Sequence, residues 1–253
     1  MVAKAIEIES QIDNWLENMK KERHLPDYWR GSLASFLSWD DPGIGLLREL
    51  VRPDHFLPED FLPGARSILC FFIPFKSWVG HSNRPGDFAS QQWAQAYLTT
   101  NTLAEILGEF LVEYLKDKGV RAAYPYEATV FTADNPKSRW SQRHLAYFAG
   151  MGSFGINNLL ISEKGSLGRY FSLITDMEVA REEKRSPEHC LYKIDKSCSL
   201  CIDRCKFGAL SHEGFDRFQC LAQLNRNEGS LRASVCGKCA VGLPCSLEVP
   251  RIK

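Results

Sequence analysis

Apolar residues recur along the first 180 positions with two periods, and the periods sort the chain into elements. In residues 1–20 they fall at Ile6, Ile8, Ile12, Trp15, Leu16 and Met19 with acidic residues between, which predicts an amphipathic helix. Residues 25–39, rich in Pro and Trp, read as irregular chain, and residues 43–50 as a short helix before Pro53. Residues 68–75 are apolar without interruption, the mark of a strand buried on both faces. A helical pattern over residues 88–118, stopped by Gly119, is the longest periodic segment. Residues 120–125 and 127–132 read as extended, residues 138–148 as helical, and residues 159–162 and 170–176 as strands around a Gly165 to Gly168 turn. Intermixed strands and helices predict an α+β or α/β fold. The expected organisation is a core over residues 1–180 and a cysteine-rich module over residues 181–253, joined by the charged segment 180–188.

Composition changes this picture little. With 44% hydrophobic and 25% charged residues the chain is globular, and 31 basic against 31 acidic side chains leave no global field that favours nucleic acid. No apolar run reaches the roughly 18 residues of a membrane span. The N-terminus has neither the basic start nor the continuous apolar stretch of an export signal, so a cytoplasmic protein without a membrane partner is expected. A reducing compartment argues against reading the nine cysteines as disulfides.

Eight of those cysteines lie between residues 190 and 245. Cys198, Cys201 and Cys205 form CxxCxxxC, preceded by Cys190 and followed by Cys220, Cys236, Cys239 and Cys245. A [4Fe–4S] cluster takes four thiolates, and in two-cluster ferredoxins the last cysteine of the run ligates the other cluster. By that rule one cluster takes Cys190, Cys198, Cys201 and Cys245, and the other takes Cys205, Cys220, Cys236 and Cys239. Two zinc sites of four cysteines each are the alternative. The three-residue gap before Cys205 and the small-residue segment after it favour the iron–sulfur reading. Asp195 stands where the first cysteine of a ferredoxin run would fall, with Cys190 as its substitute, and Lys206 stands where proline is usual. Cys70, inside the apolar strand, reads as a core thiol.

The segment Ala149-Gly150-Met151-Gly152-Ser153-Phe154-Gly155-Ile156-Asn157-Asn158-Leu159-Leu160-Ile161 resembles the AGLGxxGxxxxLI loop of the epoxyqueuosine reductase family and its cobalamin-dependent relatives, the reductive dehalogenases. The order of elements is similar too: an apolar strand, a Tyr-bearing helix start at Ala94 to Tyr97, the glycine loop, and then the cysteines. Phe215-Asp216-Arg217-Phe218-Gln219-Cys220-Leu221 looks like the family's lone-cysteine segment, and the likeness spans roughly residues 65–245. It implies a nitroreductase-like core holding base-off cobalamin, followed by a ferredoxin-like two-cluster module that delivers electrons to cobalt. It also implies an oxidoreductase with an external donor of reduced ferredoxin or flavodoxin type, acting on a small-molecule or nucleoside-like substrate. The chain ends at Lys253 without the family's further helical region, so a tRNA substrate is not part of the expectation. An electron carrier or reductive activator serving a corrinoid or flavin partner, or a non-catalytic corrinoid binder, is the alternative.

Within the resemblance, Tyr97, Gly152, Ser153, Phe154, Gly155, Asn157 and Asn158 are the expected cofactor contacts, the glycines letting backbone approach a bulky ligand. Taken by themselves, the same glycines suit a tight helix-to-strand turn. Asp134 is the candidate proton donor to substrate if burial raises its pKa, against the alternative of a turn start before Asn135-Pro136. Lys137, Arg139, Arg143 and His144 form a basic cluster around Trp140. It is either a solvated face or a site for the cofactor's phosphate tail or an anionic substrate.

Overall fold

The computed structural model describes residues 4–125, 132, 134–182 and 185–251. Its organising element is β2 (Ser67–Pro74), in which every residue is buried. Side chains alternate across a strand. Accordingly Leu69, Phe71 and Ile73 enter one apolar core while Ile68, Cys70 and Phe72 enter another on the opposite face. Beside β2 lie β1 (Leu33–Ser38) and β6 (Gly168–Thr175), and β3 (Ala122–Ala123) completes a sheet of order β1-β2-β6-β3. All three pairings are antiparallel, with Cys70 opposite Ser35 on one side and Ser172 on the other. The fold is therefore mixed α+β, and the α/β alternative with its parallel sheet is set aside.

Helices cover both faces. The first core is closed by α1 (Ala5–Glu22), through Ile8, Ile12 and Leu16, and by α4 (Gln91–Lys116), through residues such as Leu103, Leu107 and Leu111. The Ser90 hydroxyl starts α4 by accepting from the Trp93 N–H at 3.1 Å, satisfying one of the helix's unpaired donors. On the opposite face α2 (Pro42–Leu50) and α5 (Gln142–Phe148) contribute Ile44, Leu47, Leu145 and Phe148. A fully buried Leu, Ile or Phe gains about 1.5–3 kcal/mol over an exposed one, so the doubly covered β2 is the strongest anchor of the core.

Two expectations are corrected. The stretch expected to be irregular contains β1, and the helix expected from residue 138 begins at Gln142 because residues 136–141 run as loop. Of the extended segment expected over residues 127–132, residues 127–131 lie outside the described residues, and Thr132 bridges Asn135.

After β6 the described chain runs without helix or strand to Cys190. Three helices follow: α6 (Leu191–Asp195), α7 (Leu200–Asp203) and α8 (Arg217–Leu231). This part is fastened to the sheet. Ala233, Val235, Ala240 and Val241 enter the core of α1 and α4. The Cys245 and Ser246 carbonyls accept from the Ser166 and Leu167 N–H groups, each at 2.9 Å. Arg30 donates to the carbonyls of Phe75, Lys164 and Leu247, tying three distant segments together. Among the described residues no helix is long and apolar enough to cross a membrane.

Candidate functional site

The eight C-terminal cysteines are placed as two fours. Cys190, Cys198, Cys201 and Cys245 line one small cavity, whose other walls are mostly apolar (Ile156, Ile161, Leu191, Leu243, Pro244 and Pro250), with Gly155 and Asn157 beside them. Local structure aims them: Cys190 caps the start of α6, Cys201 sits on α7, and Cys245 follows the Leu243-Pro244 turn. Cys205, Cys220, Cys236 and Cys239 line a second cavity of about 540 Å³. Cys220 is carried there by α8, which the Asp216 carboxylate caps by accepting from the Phe218 and Gln219 N–H groups. Among the described residues no three His, Cys, Asp or Glu side chains are gathered so as to hold a single metal ion.

The thiols feel burial first and one another second. Burial pushes Cys201 and Cys220 up to about 11, helped by Cys190 and Cys198 for the former and by Cys236 and Cys205 for the latter. Cys245 is pushed up to about 12 by burial and by Cys201, Cys190 and Cys198, and Cys239 is raised further still. Buried thiols that repel one another as anions become stable ligands only around a cationic centre, since the thiolate is the binding form. Each four-thiol group is thus a donor set that a cationic iron–sulfur core, or a zinc ion, would fit. Cys70 differs: it is fully buried in the sheet core, its thiol is raised by burial alone, and no other cysteine faces it.

The large cavity lies between the sheet, α5 and the second cysteine group. Tyr97, Asn157 and Asn158 line it, together with Lys137, Trp140, Arg143 and His144 of the basic cluster. Arg139 does not; its guanidinium lies over the Phe56 ring and pairs with Asp54 at 3.3 Å. His144 is held neutral: burial, with Arg143 beside it, lowers it to about 4, and its Nδ1 meets the Ser141 hydroxyl at 2.7 Å.

The glycine loop does different work from that expected. A Cβ on Gly152 would meet the Ile161 carbonyl oxygen at 2.2 Å, so this glycine lets β4 (Ser153–Phe154) close on β5 (Leu160–Ile161). Ser153 accepts from the His189 N–H at 2.7 Å and donates to Glu188, and Phe154 packs on His144 and Tyr147. Gly155 lines the first cysteine cavity. The Asn157 carboxamide donates to the Cys239 carbonyl at 2.8 Å, which holds the closing cysteine loop against the hairpin. Of the seven expected cofactor contacts, Tyr97, Asn157 and Asn158 reach the large cavity. Asp134 is exposed, outside the lining residues, and a hydrogen bond from Thr132 holds its carboxyl below its ordinary value.

Sequence reasoning also missed Arg169, Arg217 and Gln223, which line the same cavity from β6 and α8. Arg217 lies in the lone-cysteine segment, and that was the one available signal.

The mixed α+β fold with its antiparallel sheet is similar to that of epoxyqueuosine reductases and reductive dehalogenases of known structure. In sequence the chain is 28% identical over 183 residues to the epoxyqueuosine reductase of Bacillus anthracis, covering 69% of this chain and 44% of that enzyme. In fold it is similar to the epoxyqueuosine reductase of Bacillus subtilis, with a TM-score of 0.54 and 18% identity over 94% of this chain and 66% of that one. A catabolic reductive dehalogenase shares the fold at TM-score 0.56 and 16% identity, over 86% of this chain and 30% of its own. No family model matches the chain. The chain thus spans under half the length of the curated relative it matches.

Proposed function

We propose that the chain is an iron–sulfur, cobalamin-dependent reductase of the epoxyqueuosine reductase type. The observation that carries this reading is the placement of one four-cysteine group in the wall of a 540 Å³ cavity, with the other four thiols beside it. Two [4Fe–4S] clusters held by these groups would supply one-electron transfer toward the cavity, and cobalamin bound there would supply a cobalt centre that can be reduced for chemistry on the substrate. A solved relative of this fold has a B12-dependent dehalogenation mechanism proposed from its structure, which supports the cofactor. A cytoplasmic, nitroreductase-like core with a ferredoxin-like module belongs to the same reading, as does an external donor of ferredoxin or flavodoxin type.

The chain's own residues do the rest. Asn157 fixes the Cys239 loop, so that the second cluster keeps one position relative to the cavity floor. Trp140, fully buried, donates from its indole to Ser172 at 2.9 Å and forms a rigid apolar wall that keeps water out. Tyr97 lies in the cavity lining with the Arg169 guanidinium over its ring at 4.5 Å. Asp134 is kept as the proposed proton donor, a role that requires bound substrate to cover it and raise the carboxyl that Thr132 holds low here; the Bacillus subtilis relative has been solved with its catalytic loop swung out of the active site. An epoxyqueuosine reductase has been solved with a modified tRNA stem loop, but the substrate proposed here is small or nucleoside-like.

Anaerobic reconstitution followed by cobalamin titration tests the reading. The expected result is about eight iron and eight sulfide per chain, and a base-off cobalamin spectrum that saturates at one equivalent. Clusters without any cobalamin binding would leave an electron carrier or reductive activator, and two equivalents of zinc would replace the iron–sulfur reading.

A further inference from the structure

The wall of the large cavity is one-sided in charge. Lys137, Arg143, Arg169, Lys206, Arg217 and Lys238 line it, and among the described residues no Asp or Glu does. Three of these cations are already occupied in part: Arg143 donates to the Asn158 carbonyl, Arg169 donates to Asn101 at 3.0 Å, and Lys238 donates to the carbonyls of Asn83 and Pro85. None of the three arginines has a carboxylate partner among the described residues. They also face one another: Arg143 is lowered to about 10, chiefly by burial and then by repulsion from Arg169 and Arg217. Buried like charges persist only where something compensates them.

The second cysteine group supplies part of the compensation, since a cluster with four thiolates carries a net charge of about −2. Asp87 also answers Lys238 in part, which leaves the arginines as the main uncompensated charge. Base-off cobalamin is close to neutral as a whole, because the charge on its cobalt is offset by the corrin ring and the nucleotide phosphate, so it does not answer them either. An independent feature points the same way. Gln223, 3% exposed and on the cavity wall, has no partner for either Nε2 or Oε1. A buried carboxamide with both ends unpaired is costly unless a ligand supplies a donor and an acceptor. Arg217, Cys220, Gln223 and Leu224 share one face of α8, so the free carboxamide and a free guanidinium open on the same space.

We propose that this cavity binds an anionic small molecule, its carboxylate or phosphate held by Arg143, Arg169 and Arg217 and an adjacent hydrogen-bonding edge read by Gln223. That the anion is the substrate rests on the reductase reading above; that it binds does not. Guanidiniums suit either oxyanion because both offer two oxygens in a plane to the forked donors.

The test is calorimetric titration of the full, cluster-loaded chain, with and without cobalamin, using benzoate, phenyl phosphate and neutral benzamide as probes. At least one anion is expected to bind about tenfold or more tightly than benzamide, and the better of the two identifies the headgroup. Raising the salt should weaken the anion and leave benzamide unchanged. Arg217→Gln, at the half-buried first turn of α8, should weaken the anion about fivefold or more, and Gln223→Leu should weaken it less. Benzamide binding as well as both anions, binding of neither anion, or an Arg217→Gln variant of unchanged affinity would overturn the proposal. So would loss of anion binding once cobalamin is added, because the arginines would then serve the cofactor's phosphate. Anion binding in a chain that binds no cobalamin would sink the reductase reading and leave this site standing.

Discussion

The two cysteine groups are made of interleaved pieces of one segment, yet their surroundings differ. Cys190, Cys198, Cys201 and Cys245 face Ile156, Leu191, Leu243 and two prolines, with no charged side chain in their cavity wall among the described residues. Cys205, Cys220, Cys236 and Cys239 face a roomy cavity bordered by six cations. Similar inorganic cores in these two places would have different properties, because cluster potential follows charge and hydrogen bonding around the sulfurs. Cations favour the more negative, reduced cluster. On the proposed reductase reading, the second group would hold the electron beside the large cavity, and the first would relay it there.

The largest expected effect separates the groups by their attachment. Gly165, at φ +78°, lies against the backbone of Ser246 and Leu247, where a Cβ would meet three atoms at 2.5 Å. Gly165→Ala combines left-handed backbone strain with a collision, and is expected to cost more than about 2 kcal/mol. Because the displaced segment carries Cys245, the first cluster should be lost before the second, as iron falling from about eight toward about four per chain.

Next is a pH dependence on the cavity side. His144 is lowered from its ordinary 6.5 to about 4, so the folded chain holds it neutral where the unfolded chain would protonate it. Its stabilisation is present above about pH 6.5 and is lost as pH falls toward about 4, with an upper bound of about 3 kcal/mol. Urea midpoints of the metal-free chain at pH 7.5 and pH 5 should diverge, and His144→Gln should flatten that slope. An unchanged slope would show that the imidazole is solvated.

Cys70 sharpens the contrast between core thiol and ligand. Cys70→Ala should keep full iron and sulfide and cost about 1 kcal/mol, the size expected for one small buried group. Iron loss in this variant would remove Cys70 from the core class. The smallest effect is electrostatic: Arg217→Gln should lower the potential of the second cluster by on the order of tens of millivolts and leave the first unmoved, measured by redox titration with EPR detection.

Much of this was legible in the sequence where one residue type dominates its surroundings. The unbroken apolar run of β2 requires cover on both faces, and it has it. The long amphipathic period of α4 and its glycine stop locate that helix within a few residues. The cysteine spacings single out eight thiols and leave Cys70 to the core. What could not be read depends on contacts between distant segments. The strand β1, LASFLS, alternates too weakly to stand out, and pairing with β2 makes it a strand. Asn157 looked like a ligand-binding amide, but its partner is a carbonyl 82 residues away. The glycines at 152 and 155 serve chain packing, the alternative already inherent in a tight turn. The cationic cavity is assembled from five separate segments: the basic cluster at Lys137 and Arg143 announces one of them, but Arg169, Lys206, Arg217 and Lys238 each arrive singly from elsewhere in the chain.

The central claim is that the last cysteine of each run serves the opposite cluster. EPR of the reduced, reconstituted Cys205→Ala and Cys245→Ala variants tests it most directly. The account predicts that Cys245→Ala alters the cluster shared with Cys198 and Cys201, while Cys205→Ala alters the one shared with Cys236 and Cys239, each leaving the other signal intact. If Cys205→Ala instead perturbs the signal that Cys198→Ala perturbs, the crossover is contradicted, and the two groups must be redrawn along the sequence.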